Sequence, residues 1–165
     1  MTEAVLSIGS NQGDRLGHLS SVVESLGERC VSVSSVYVTP PWGGVEQPDF
    51  LNAIIIASDP AWGPWDWLRF GQECERRADR VREVRWGPRT LDVDVIACTA
   101  NGQGVVSAHP DLVLPHPRAH LRAFVLVPWA EVQPTAELHG RTISDVLADL
   151  EDRNDVRRFN RDLGR

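Results

Sequence analysis

Two aspartates one residue apart are the sharpest chemical feature of the chain. They sit in Leu-Asp-Val-Asp-Val at 91–95. On a strand, side chains alternate between faces, so Asp92 and Asp94 share one face while Leu91, Val93 and Val95 anchor the other. Two adjacent carboxylates repel unless something positive lies between them. A divalent cation with phosphate oxygens suits that place, and Mg²⁺ is the natural choice. The plainer alternative is an exposed pair on an edge strand. The surroundings favour the metal: six arginines (76, 77, 80, 82, 85, 89) and only two acids fall in 76–89, just upstream. Carboxylates beside clustered guanidiniums are what a polyphosphate needs.

A second constellation is aromatic. Phe50 and Asn52 are two apart on a predicted strand and share a face. A ring beside an amide can stack a flat heterocycle and read its edge, although a core Phe and a capping Asn would look the same. His116 in the Pro-His-Pro-Arg loop is either a ligand contact or a satisfied loop histidine. Trp86 stands in a charged loop, where so large a ring is seldom buried unaided. Gln72 and Glu75 are three apart on a predicted helix and can face one ligand. Trp62, Trp65, Trp67 and Trp129 read as packing.

Composition narrows the chemistry further. All 17 basic residues are arginine. Without lysine there is no standard P-loop, and no Schiff-base or pyridoxal-phosphate catalysis. The net charge is −6, with a second arginine-rich island at 153–165 and an acidic body elsewhere. That pattern suits a compact anionic ligand better than a nucleic-acid backbone. Cys30, Cys74 and Cys98 are scattered and form no C-x-x-C pair, as expected of reduced thiols in the cytoplasm. The start MTEAVLSIGS has no basic n-region, so no signal peptide is expected. No run of about 18 apolar residues predicts a membrane span.

These residues need elements to hold them. Residues 4–8 read as a strand and Asp14 opens a helix. Val31 to Val38 reads as one strand, broken by TPPWGG at 39–44. Phe50 to Ala57 is a strand, Pro64 to Arg77 a helix, 79–90 a loop, and Leu91 to Cys98 a strand followed by a turn at 101–104. Residues 109–118 read as an irregular loop, with helices around 121–131 and 142–151. The Arg-rich tail at 152–165 reads as a frayed helix. The order β-α-β-β-α-β predicts an α+β sandwich of ferredoxin-like kind with additional C-terminal helices, in a single domain over 1–165.

Together these segments resemble the 6-hydroxymethyl-7,8-dihydropterin pyrophosphokinase family. The resemblance rests on IGSNQGDR at 8–15, SSVYVTPPWG at 34–43, QPDFLNA at 47–53, RVREVRWGPRTLDVDV at 80–95 and LPHPRAHLRAFVLVPW at 114–129. It implies transfer of pyrophosphate from ATP to the pterin hydroxymethyl group, releasing AMP, in folate biosynthesis. It also implies two Mg²⁺ ions held by Asp92 and Asp94, and a monomer. Phe50 and Phe124 match the two rings that sandwich the pterin, and Asn52 matches the residue bonded to its edge. Thr39, Pro41 and Trp42 fall in the pterin loop. Gln72, Glu75, Arg82, Trp86, Arg89, Val95, His116 and Arg122 match the ATP side, and Arg80 and Arg89 the two loop arginines implicated in catalysis. Four features depart from the pattern: Asp79 at a commonly glycine position, Asp111 near a phosphate-side arginine, Pro117 after His116, and a short 80–86 loop.

Two other readings use fewer of these features. A metal-dependent phosphoesterase would use Asp92, Asp94 and His116 but has no need of the aromatic pair. A nucleic-acid-binding module would use the basic islands and bind with steep salt dependence.

Overall fold

The structure is a computed structural model, and it describes residues 1–40, 47–79 and 90–163. Strand β1 (Thr2–Ser10) leads into helix α1 (Arg15–Leu26), which Asp14 caps by accepting a bond from the Gly17 amide at 3.0 Å. Strands β2 (Cys30–Val33), β3 (Tyr37–Thr39) and β4 (Phe50–Asp59) follow, then helix α2 (Pro64–Asp79). Strand β5 (Asp92–Ala100) turns through Asn101 and Gly102 into β6 (Gln103–Gly104). A small hairpin pairs β7 (Ser107–His109) with β8 (Leu112–Leu114). Helix α3 (Ala123–Val132), a hairpin of β9 (Glu137–Leu138) and β10 (Arg141–Thr142), helix α4 (Ile143–Ala148) and strand β11 (Arg157–Arg158) complete the chain.

Helices and an antiparallel sheet are thus mixed. The strand order is β11-β3-β4-β1-β5-β6, with β2 also on β4. Each pair of neighbours is antiparallel.

Alternation along β1, β4 and β5 sorts the core into two layers. Leu6, Ile8, Leu51, Ala53, Ile55, Val93 and Val95 pack under α1 and α2 with the fully buried Trp67. Val5, Ile54, Ile56 and Ile96 pack on the opposite face against α3, around Trp129. The register between β1 and β5 shifts at Val5/Leu6, so Ile96 enters the second layer beside Ala97. Helix α2 lies close to β5 because Gly71 has no side chain: a Cβ there would stand 3.0 Å from Val93 Cγ1.

Three predicted elements differ from the structure. The single strand over 31–38 is two strands, because the chain turns out of the ladder at Ser34–Val36. There the Ser34 hydroxyl accepts from the Ile54 amide at 2.9 Å, doing a ladder carbonyl's work. The irregular loop at 109–118 begins inside a hairpin, closed where the Ser107 hydroxyl donates to the Leu112 carbonyl. The tail is not a frayed helix. After a 3-10 turn at Glu151–Asp155, β11 pairs with Val38 and Tyr37, and the Phe159 amide bonds to the Val36 carbonyl at 2.8 Å. Phe159 and Leu163 then pack on the α1/α2 core.

Candidate active site

The two carboxylates stand where the α3 face of the sheet stops being apolar. Asp92 pairs with Gly9 and Asp94 with Ser7, so the four share one face. The same row continues from Gly9 to Asn52 on β4 and from Asn52 to Tyr37 on β3. Above it lies a cavity of about 1270 Å³. Its lining joins Asp92 and Asp94 to Thr39, Phe50, Asn52, Arg122 and Phe124. A smaller recess of about 360 Å³ lies elsewhere, lined by Trp62, Phe70 and Cys74; no predicted site residue belongs to it.

The aromatic half is pre-set by short contacts. Asn52 is buried, and its Nδ2 donates to Thr39 Oγ1 at 2.7 Å, which fixes the amide's orientation. The amide oxygen faces Gly9, where a Cβ would meet Oδ1 at 2.7 Å. Glycine is therefore required there for Asn52 to lie flat against β1. Phe50 starts β4 opposite Thr39, and Phe124 projects from the first turn of α3.

The charged half centres on Arg122. Its guanidinium lies 3.8 Å from Asp94 Oδ2 and 5.6 Å from the centre of the Phe124 ring. A separation of 3.8 Å is long for an ion pair, so Asp94 keeps capacity for another cation. Asp94 is 46% exposed and reachable from the cavity. No cluster of three or more potential metal ligands occurs among the described residues. Two hard carboxylate donors, completed by phosphate oxygens and water, fit Mg²⁺, which seldom takes an all-protein cage.

His116 is tied to β5 by its amide, which donates to the Ile96 carbonyl at 2.7 Å. Its Nδ1 accepts from the Arg118 amide at 3.2 Å, leaving Nε2 as the protonated nitrogen of the neutral ring. Burial holds its pKa below the ordinary value. Arg122 and Arg118 push the same way, and Asp94 opposes them.

Not every predicted residue meets in the cavity. Gln72, Glu75, Val95 and His116 are not among its lining residues. Gln72 and Glu75 belong to α2, and Val95 is buried in the α1/α2 core. Glu75 Oε2 accepts from the Val93 amide at 3.1 Å, capping a donor on the edge of β5. Pro41, Trp42, Arg80, Arg82, Trp86 and Arg89 lie outside the described residues. Asp79 accepts from the Thr90 hydroxyl at 3.2 Å, joining the residues on either side of 80–89. Asp111 sits in the β7–β8 turn, where its amide donates to His109 Nδ1 at 3.1 Å.

Sequence reasoning missed part of the wall. Ser7 and Gly9 line the cavity and were readable, because they alternate with Leu6 and Ile8 on β1. Asn11 Nδ2 donates to Gln47 Oε1 at 3.0 Å, holding the end of β1 to the approach to β4. Arg118, Leu150 and Val156 also line the cavity. Nothing local in the sequence marks the last two, since only the return of the tail to β3 brings them there.

Paired carboxylates, two aromatic rings, Arg118 and Arg122 thus line one cavity, a lining suited to group transfer. The family model for 7,8-dihydro-6-hydroxymethylpterin-pyrophosphokinase (HPPK) matches residues 5–134. A Mycobacterium tuberculosis protein named 2-amino-4-hydroxy-6-hydroxymethyldihydropteridine pyrophosphokinase is 53% identical, covering 96% of this chain and 90% of its own. A Bacillus subtilis protein of the same name is 38% identical over 78% of this chain and 77% of its own. The crystal structure of Plasmodium falciparum HPPK-DHPS, wild type with SDX-DHP, superposes with a TM-score of 0.63 at 13% identity. It covers 90% of this chain, which spans 43% of that longer one. The chain belongs to the 7,8-dihydro-6-hydroxymethylpterin-pyrophosphokinase family.

Proposed function

We propose that the cavity on the α3 face carries out the family's reaction: ATP-dependent transfer of pyrophosphate to the hydroxymethyl group of 6-hydroxymethyl-7,8-dihydropterin, releasing AMP. The observation that carries this reading is that one cavity is lined both by Asp92 and Asp94 and by Phe50, Asn52 and Phe124. A hydrolase needs only the first set, and a nucleic-acid surface needs neither.

Asp92 and Asp94 would hold two Mg²⁺ ions on the phosphates. When bound, Mg²⁺ neutralises phosphate charge and lowers the pKa of an attacking hydroxyl. Phe50 and Phe124 hold the heterocycle flat, and Asn52 fixes its rotation through an amide already set by Thr39. The hydroxymethyl oxygen then lies for in-line attack on the β-phosphorus, a step governed by positioning and charge. Arg122 takes phosphate oxygens beside Asp94, and Arg80, Arg82 and Arg89 are assigned from sequence to the charge developing on the leaving AMP. His116, neutral at pH 7, offers Nε2–H as a donor without adding charge.

The ATP side of β5 is supported by its edge. Val93 directs its amide outward to Glu75, and alternation places the main-chain groups of Val95 on the same edge. Glu75 and His116 bracket that edge, so Val95 reads a purine through its backbone, with its side chain in the core. Pro41, Trp42, Gln72 and Trp86 keep their sequence-based roles.

The strand order and the helix pair α1/α2 support a ferredoxin-like βαββαβ core in a single domain, with α3 and α4 added. Cys30, Cys74 and Cys98 are buried and in no disulfide, which fits the reducing cytoplasm, and the monomer keeps its sequence-based standing. No helix among the described residues is long and apolar enough to cross a membrane.

Incubation with ATP, Mg²⁺ and the hydroxymethyl dihydropterin tests the reading. AMP and pterin pyrophosphate in equal amounts are expected. ADP, free phosphate or no turnover would overturn it.

A further inference from the structure

Strand β3 carries Thr39, yet it is only three residues long and follows a break in the sheet. Its place relative to α3 decides how far Thr39 stands from Phe124, and with it the acceptor that orients the Asn52 amide. The Glu131 side chain of α3 reaches that break. Glu131 Oε2 accepts from the Ser35 amide at 2.8 Å and from the Ser35 hydroxyl at 3.2 Å. Its other oxygen accepts from the Tyr37 hydroxyl at 2.6 Å. Tyr37 pairs directly with Asn52, and Thr39 with Phe50.

Glu131 and Phe124 are seven residues apart on α3. Seven residues are close to two helical turns, so both side chains point to the same side, about 10 Å apart along the axis. One end of α3 therefore supplies an aromatic wall, and the other grips the strand behind the opposite wall. The apolar contacts of β3 do not set this spacing, since Val38 packs on the far face of the sheet. Arg158 of β11, paired with Tyr37, is the nearby cation on the outer side and tends to lower the Tyr37 pKa. Burial first, and then the hydrogen bond to Glu131, outweigh it and hold Tyr37 protonated, as a donor.

We infer that Glu131 is a positioning residue for the pterin half of the site, fixing β3 at one distance from Phe124 and so setting Thr39, which orients the Asn52 amide. This rests on the function proposed above. Glu131 touches neither substrate; it acts through Ser35 and Tyr37. Its carboxylate matters as a shaped acceptor more than as a charge. A glutamine can accept from the Ser35 amide and donate to the Tyr37 oxygen, whereas an alanine leaves both partners without it.

The test measures pterin affinity, with a non-hydrolysable ATP analogue and Mg²⁺, alongside KM for ATP and the melting temperature. Glu131→Ala is expected to weaken pterin binding about tenfold while ATP KM stays within about twofold. Glu131→Gln is expected to stay within about threefold of wild type for both. Equal losses for both substrates, or unchanged pterin binding, would overturn the assignment. Should Glu131→Ala not fold, Tyr37→Phe decides. It keeps the Ser35 contacts and is expected to weaken pterin binding about threefold with ATP unaffected; unchanged pterin binding there would overturn it equally. Wild-type protein that makes no AMP from ATP and the pterin would instead defeat the functional reading itself.

Discussion

The two faces of the sheet are built from the same three strands and end in opposite ways. Toward α1 and α2, β1, β4 and β5 are apolar along their middles, from Ala4 to Ile8, from Leu51 to Ala57 and at Val93 and Val95. Toward α3 they are apolar at one end only, at Val5, Ile54, Ile56 and Ile96, and polar at the other, at Ser7, Gly9, Asn52, Asp92 and Asp94. A helix can seal an apolar surface but gains nothing by covering carboxylates, so α3 stops short and a cavity remains. Period-two alternation lets one strand serve a closed core and an open site at once.

The comparison breaks most sharply at the aspartates. Asp92→Ala and Asp94→Ala should each cut turnover about a thousandfold or more. The melting temperature should hardly move, because neither residue belongs to a core layer. Near-normal rates in either variant would remove the metal assignment. Removing Mg²⁺ with a chelator should abolish turnover in wild type as well.

On the closed face the expected loss is in stability. Trp67→Ala removes a fully buried ring and the partner of the Thr2 hydroxyl, 2.7 Å away. It should cost about 3–5 kcal/mol in a denaturant titration. A loss of activity without a loss of stability would mean that the two faces are not separate.

Phe124→Ala tests the open face more finely. It should weaken pterin binding about tenfold, with ATP affinity nearly unchanged; the reverse order would move Phe124 to the nucleotide side. Gly9→Ala comes next. Its Cβ would meet Asn52 Oδ1 at 2.7 Å, so Asn52 must turn. Pterin KM should rise several-fold, and an unchanged value would show that Asn52 does not read the pterin.

The smallest effect is one of pH. His116 has a folded pKa below its unfolded value near 6.5. As pH falls through that value the unfolded chain takes up a proton that the folded ring still refuses, so stability declines until the folded pKa is passed. Melting curves between pH 7 and 5 should show this decline in wild type and a shallower one in His116→Asn. Parallel curves would remove His116 from the account.

Much of this site was legible one segment at a time. The alternation Leu91-Asp92-Val93-Asp94-Val95 assigned both carboxylates to one face without any partner strand. Phe50 and Asn52 followed by the same rule, and Ser7 and Gly9 lay within its reach. Spacing alone placed the main helices and strands. The 31–38 segment was misread because Ser34 and Ser35 are compatible with a strand; only Ile54 and Glu131, distant in sequence, supply the bonds that draw them out of it.

What the sequence by itself determined is the chemistry available: carboxylates, arginines and rings, with no lysine, on elements whose periods sort them by face. Local periodicity depends only on neighbours along the chain, so it survives without a fold. What only the tertiary structure decided is distance. Asp94 beside Arg122, Glu131 on Ser35 and Tyr37, and the tail returning as β11 each join residues far apart in the chain. Such contacts form only when both core layers close on the sheet, and their partners carry no local mark of one another.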